Sequence, residues 1–475
     1  MKRFLLLLLC VLILLPAISM AATEQAKQQA IDDGLAWLAG TMATSGSEGY
    51  WSYSNNGTLA ATGSAALAFI EEGYLPGSDV VIDGTNYGDV VGKACNYIFN
   101  RAAVDGRYGP EVSGYPRYAE DYNNNGVYGD DGGNDQAIFF NPGAYNRNVY
   151  TTGVVAPVVY ALGEAYTPDT LVGRGTVAGM SYKGLMQDVI DWFSWGQVEP
   201  SRGVHRGGWR YDANYTNSDN STAQWGSLPS LYGDAWGLST PDFVKSELKL
   251  WTDYVQNDNG GSGYHNDYTY VNVSKTGGLL VEFAEMGYDI GVNNSDGSGY
   301  NSIGNEVDAA LNFINSRWNN GPSGGWYGNL NHPYAMWAVY KALELYGFTA
   351  IDDNGTPLDP SDDFVIGLDG GFMTNAPGGF TIGQDWDPKI SAVGDWYSHY
   401  SDYLVNIQNA NGSWNGYSYF TGALATGWYI NILNATGAPP PDPPEDAPVP
   451  EPATVLLFGV GLLGLGAYSR KRLNV

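Results

Sequence analysis

GGWRYDANYTNSDNSTAQW, residues 207–225, is the stretch from which the fold can be read. It opens on a glycine pair, which permits backbone angles that other residues resist. Trp209, Arg210 and Tyr211 follow, and a polar turn leads to Ser221 and Thr222, residue types that suit a helix N-cap. Upstream, MQDVIDWFSWGQ (186–197) spaces its apolar residues three and four apart, the helical period. Downstream, STAQWGSLPSLYGDAWG (221–237) reads as a second helix, with Pro229 leaving its register open. The unit is helix, Gly-aromatic turn, helix.

The same unit recurs along the chain. First helices are expected at 30–42, 91–102, 186–197, 245–257, 307–318 and 396–409. The turns are EGYWSY (48–53), DGRYG (105–109), GGWRY (207–211), GGSGY (260–264), GGWYG (324–328) and NGSWN (411–415). Second helices are expected at 58–74, 151–166, 221–237, 273–288, 332–348 and 420–433. No single pair can bury its own apolar face, so such units stack. The expected fold is all-α: six helical hairpins closing as an (α/α)6 toroid over 25–435, with insertions near 110–147 and 349–389.

The segments 207–225 and 407–433 look like the Gln-Trp type repeat, and the body resembles the squalene cyclase and protein prenyltransferase repeat family. That resemblance implies the toroid but not the chemistry. Class II cyclases need an Asp-x-Asp-Asp acid, and the nearest match, Asn217-Ser218-Asp219-Asn220, keeps the single carboxylate of Asp219. A prenyltransferase zinc site needs Asp, Cys and His together, and Cys95 lacks that company. The Asp-Asp-x-x-Asp magnesium motif is absent.

Polysaccharide lyases and some glycoside hydrolases also use helical toroids, and need a His or Tyr base with an Arg, or paired carboxylates. Candidate catalytic residues are His205, Arg210, Tyr211, Asp219, His265 and His332, with Arg206, Tyr264 and Asp267 close in sequence. Trp51, Trp209, Trp326 and Trp414 would line the mouth as a sugar-stacking surface; the same rings equally suit stapling helix ends. Asp121, Asn123 and Asn125 before Gly126 fit the first half of a calcium loop, with Asp130 and Asp131 nearby, although position twelve is Gly132 rather than Glu. Ca2+ is therefore the one cofactor that the sequence raises.

Fifty acidic against 22 basic residues give a formal charge of −28, which disfavours nucleic acid and anionic lipid as partners. Cys10 lies in the N-terminal apolar run, leaving Cys95 as a core thiol in the rest of the chain. Residues 1–22 pair Lys2 and Arg3 with a short apolar run and small residues before a cut, the secretory pattern. At the other end, a Pro-rich acidic tether (438–452) precedes an apolar segment, Val455 to Tyr468, and the cations Arg470, Lys471 and Arg472.

Pro450-Glu451-Pro452 followed by that segment and that basic cluster resembles the PEP-CTERM sorting signal over 449–475. The resemblance implies a Gram-negative host, transient anchoring in the inner membrane, an exosortase-type enzyme as partner, and delivery to the outer surface or extracellular matrix. The sequence favours a non-catalytic surface component that binds exopolysaccharide. An extracellular lyase or hydrolase is the alternative, and a terpenoid cyclase-like enzyme the weakest reading.

Overall fold

The structure is a computed structural model that describes residues 22–54, 57–105, 137–143, 147–290, 292–294, 303–318, 327–346, 350–352, 364–366 and 396–434. Among them lie twelve α-helices. The odd-numbered ones are α1 (Glu24–Thr41), α3 (Tyr87–Phe99), α5 (Tyr182–Gly196), α7 (Asp242–Val255), α9 (Glu306–Asn315) and α11 (Trp396–Ile407). The even-numbered ones are α2 (Thr58–Glu71), α4 (Asn148–Ala165), α6 (Ala223–Asp234), α8 (Val273–Glu285), α10 (Pro333–Leu345) and α12 (Gly422–Leu433). They fall where the period places them. Pro229 lies inside α6 without ending it. The chain is helix-rich but not purely helical. Among the described residues four two-stranded antiparallel ladders also occur, including Ala43–Ser45 with Glu48–Tyr50 and Ala102–Val104 with Ile138–Phe140.

The two helix sets differ in what they bury. α8 and α10 are buried along their whole length, and α2 from Leu59 to Ile70, whereas α1 exposes Asp32, Asp33 and Ala36. A helix apolar all round belongs inside, and a one-faced helix outside. α2 packs on α4, α4 on α6, α6 on α8, α8 on α10, α10 on α12, and α12 on α2 again. The odd helices lie against these: α3 on α2, α5 on α4 and α6, α7 and α9 on α8, α11 on α12, and α1 on α12 and α2. Close approach needs small residues. A Cβ on Gly427 of α12 would meet the backbone of Ser64 in α2.

One hydrogen-bond device joins successive units. Gln197 Nε2, just past α5, donates to Gly207 O at 2.7 Å and to Val244 O of α7 at 3.0 Å. Gln256 does the same toward Gly260 O (3.2 Å) and Glu306 O of α9 (2.9 Å). Gln408 does so toward Gly412 O (2.9 Å) and Ala30 O of α1 (2.7 Å), tying the last unit to the first. The glycine is obligatory: Gly207 and Gly412 have φ of 86° and 87°, and a Cβ on either would strike the Glu247 or Asp33 carbonyl.

Three indoles of the even helices meet. Trp225 of α6 lies 5.0 Å from Trp337 of α10 and 6.2 Å from Trp428 of α12, with 5.8 Å between the last two. Cys95 is fully buried in α3, and burial pushes its thiol up to about 12. No helix among the described residues is long and apolar enough to cross a membrane.

Candidate functional site

The turns bond to one another at the N-terminal ends of the even helices. Val149 N donates to Tyr211 O at 3.2 Å, linking the second unit to the third, and Asn220 N donates to Tyr264 O at 2.9 Å, linking the third to the fourth. The Tyr334 hydroxyl, at the start of α10, donates to Ser221 O and accepts from Gln224 Nε2 at 2.6 Å. The His332 ring lies 5.1 Å from Tyr417 and 5.9 Å from Phe420, joining the fifth unit to the sixth.

Asp219 sits at the base of this face, fully buried. Its Oδ1 accepts from Ser221 N at 2.9 Å and Ser221 Oγ at 2.5 Å, which shapes the turn into α6. Its Oδ2 accepts no hydrogen bond; Arg210 Nε stands 3.8 Å away. Arg210 is fixed by Asn217 Oδ1 at 2.8 Å and lies over the rings of Tyr211 and Tyr215. The Tyr211 and Tyr264 hydroxyls face each other at 3.4 Å. Lys275, on the first turn of α8, is buried with its Nζ 5.9 Å from the Tyr264 ring. Burial pushes its amine down to about 7, against the pull of Asp219. Burial, then Asp219, pushes the Tyr264 hydroxyl up. A carboxylate oxygen without a donor, a guanidinium, an amine near neutrality and paired hydroxyls can hold a polar ligand or pass it a proton.

The structure gathers Arg210, Tyr211, Asp219 and His265, whose Nδ1 lies 3.1 Å from Ser218 O. His205 sits behind them. Its carbonyl accepts from Ser218 Oγ at 2.7 Å, and its ring packs between Trp251 and Tyr254. Burial, and then His265, lowers its basicity. His332 is an N-cap: Ala335 N donates to its Nδ1 at 3.3 Å, and burial pushes the imidazole down to about 4. It stays neutral at ordinary pH.

The tryptophan surface is corrected. Trp51, Trp209 and Trp414 are 2%, 0% and 1% exposed, and their indoles donate to the Leu38, Phe193 and Leu404 carbonyls of their own first helices at 2.8–2.9 Å. They staple helix to turn and offer no ring face to a sugar. Trp326 lies outside the described residues, as do Asp121, Asn123, Asn125, Asp130 and Asp131 and the segment carrying Pro450 to Arg472. Among the described residues no group of three or more His, Cys, Asp or Glu side chains could hold a metal.

Among the described residues the exposed rings on the turn loops are tyrosines instead. Tyr215, Tyr268, Tyr270, Tyr327 and Tyr419 are 43–73% exposed, and all stand on the turn loops of units three to six. The signal was in the sequence. The tryptophan follows the glycine of the turn at fixed spacing, as a staple must, whereas these tyrosines fall in the irregular loops beyond it. Sequence reasoning also missed the other end of the even helices. There Lys341 and Glu344 of α10, buried, face Glu71 of α2, with Tyr160 and Tyr232 alongside. Burial pushes the Glu344 carboxyl up to about 8 and the Lys341 amine down to about 8. Glu71 keeps contact with solvent, yet enough protein encloses it to push its carboxyl up to about 7.

Residues 448–472 match the PEP-CTERM protein-sorting motif. The match covers the C-terminal segment and not the helical body. It indicates an exported protein handled by an exosortase. No curated protein matches the chain.

Proposed function

We propose that this is an exported surface or matrix protein, and that its twelve helices form an (α/α)6 toroid whose turn face binds exopolysaccharide without cleaving it. The neighbour order of the even helices, which returns from α12 to α2, supports the closed ring, as does the Gln408 fork onto α1. The sorting motif supports a route through the inner membrane, release by an exosortase-type enzyme, and residence on the outside of a Gram-negative cell. The observation that carries the binding reading is the set of exposed tyrosines on the turn loops, with Tyr215 against Arg210 of the Arg210–Asp219 pair. Flat amphipathic rings on relatively fixed loops suit sugar rings, which present an apolar face and a polar edge.

Asp219 Oδ2, without a donor and beside the Lys275 amine, supports the second reading, a lyase or hydrolase. One experiment separates the two. The purified mature protein is incubated with the exopolysaccharide of its host, and retention and new chain ends are measured together. Retention with no new ends is expected. New unsaturated ends would replace binding with lyase activity, new reducing ends would replace it with hydrolysis, and neither retention nor cleavage would remove the glycan reading.

A further inference from the structure

With 50 acidic against 22 basic residues, cations are scarce in this chain, yet among the described residues the turn face brings Arg147, Arg210 and Lys275 onto the rings of Tyr211 and Tyr264. Among the described residues only Arg210 of these three has a carboxylate within 4 Å, Asp219. The Arg147 guanidinium lies 5.2 Å from the Tyr211 ring, and no carboxylate among the described residues pairs with it. Lys275 Nζ lies 5.9 Å from the Tyr264 ring, likewise without an ion pair among the described residues. Asp212, next to Tyr211 in the third turn, is occupied: its Oδ1 accepts from Asn148 Nδ2 at 3.1 Å and Ala213 N at 3.0 Å. The cations therefore bracket a line of rings, Arg147–Tyr211–Tyr264–Lys275, closed in the middle by the 3.4 Å hydroxyl pair.

A neutral sugar on that line would leave Arg147 without a counter-charge and Lys275 with only the Asp219 that Arg210 already pairs, in a poorly solvated place, which is costly. A carboxylate would satisfy the planar guanidinium through paired hydrogen bonds and take a further one from a hydroxyl. We propose that the ligand of this face is an acidic polysaccharide, with one sugar carboxylate seated between Arg147 and Lys275 beside the Tyr211–Tyr264 hydroxyls. This deepens the glycan reading and rests on it.

The proposal has a proton signature. The groups that act on or lie against Lys275 are Asp219 from the third turn, Tyr264 from the fourth and His332 at the start of α10; Arg210, Tyr211, Tyr334 and Glu282 act in turn on that Asp219 or Tyr264. A bound carboxylate is a new negative charge at the amine, so it raises an amine that burial has pushed down to about 7. Binding at pH 8 then takes up protons. Binding at pH 5.5 does not, because the amine is already charged.

The test uses the full mature protein and the exopolysaccharide of its host, before and after chemical reduction of its carboxyl groups. Titration calorimetry is run in two buffers of different ionisation heat at pH 8 and pH 5.5. We expect the native polymer to bind at least tenfold tighter than the reduced one, with proton uptake at pH 8 that Lys275→Met abolishes, and Arg147→Gln to weaken binding of the native polymer alone. Equal affinity for both polymers would overturn the carboxylate and leave the glycan reading standing. Binding of neither would overturn both. Tight binding of the native polymer with no proton uptake at pH 8 would remove Lys275 from the site, and because it uses the unaltered protein it does not depend on how the variants fold.

Discussion

The two ends of the even helices carry the same residue types in opposite balance. At the turn end, Lys275 has no carboxylate within ion-pair distance among the described residues, and Asp219 is held by Arg210 and Ser221. At the far end, Lys341 is outnumbered by the two carboxyls of Glu71 and Glu344. Burial drives both lysines toward the neutral form, but removing them leaves different remainders. Loss of Lys275 leaves nothing uncompensated, whereas loss of Lys341 leaves two carboxyls facing each other. The turn end is built to receive a charge, and the far end already balances its own.

The largest expected effect tests the packing beneath the turn end. Trp225→Ala deletes a fully buried ring that contacts Tyr150, Tyr334, Trp337 and Trp428. It should cost about 3–5 kcal/mol in denaturant unfolding. A cost below 1 kcal/mol would mean that the indole cluster does not support the turn end.

The lysines come next. Lys341→Met should destabilise most near pH 7 to 8, by about 2–4 kcal/mol, where the carboxyls begin to ionise while the amine still carries charge, and by little at pH 5, where the carboxyls are protonated. Lys275→Met should instead stabilise by roughly 1 kcal/mol at pH 6, because it removes a buried ammonium that has no direct partner. The same sign for both variants would end the contrast between the ends.

The pH profile is smaller but follows from the same groups. Glu344 is raised from 4.5 to about 8 in the folded chain, so its contribution is complete below 4.5 and is lost as pH rises toward 8. Lys275 is lowered from 10.5 to about 7, so its contribution is complete above 10.5 and is lost as pH falls toward 7. The two losses meet between pH 7 and 8, where the melting temperature should pass through a minimum. Glu344→Gln should flatten the acidic limb. A maximum at pH 7 to 8 would contradict the burial of both groups.

The smallest effect separates staples from platforms. Tyr268→Ala, at a residue 73% exposed, should leave stability within about 0.5 kcal/mol of the parent. It should weaken exopolysaccharide binding by about 0.5–1.5 kcal/mol, as loss of an aromatic contact does. Loss of fold without loss of binding would reverse the assignment of Tyr268 and Trp209.

Much of the helical body was legible because periodicity is local. The spacing in 186–197 and 245–257 fixes which face of α5 and α7 is apolar, and Ser181 and Asn272 cap α5 and α8 through their own side chains. The candidate site was half legible. Arg210, Tyr211, Asp219 and His265 were visible as a cluster of reactive types near two turns. Lys275 was not, because on a helix rich in glycine and leucine it reads as a surface charge. Trp209 misled, because a turn tryptophan looks the same in sequence whether its ring faces a ligand or its own helix.

By itself the sequence determined the helix–turn–helix unit, its recurrence, the glycine that each turn requires and the sorting signal at 448–472. Each depends on neighbours in the chain, or on a linear motif that another protein reads. Tertiary structure alone decided which aromatic rings are buried, that the Gln408 fork returns to α1, and that Arg147, Tyr211, Tyr264 and Lys275 share one face. Those residues come from three different units, and burial and pairing are set by what the rest of the chain brings alongside.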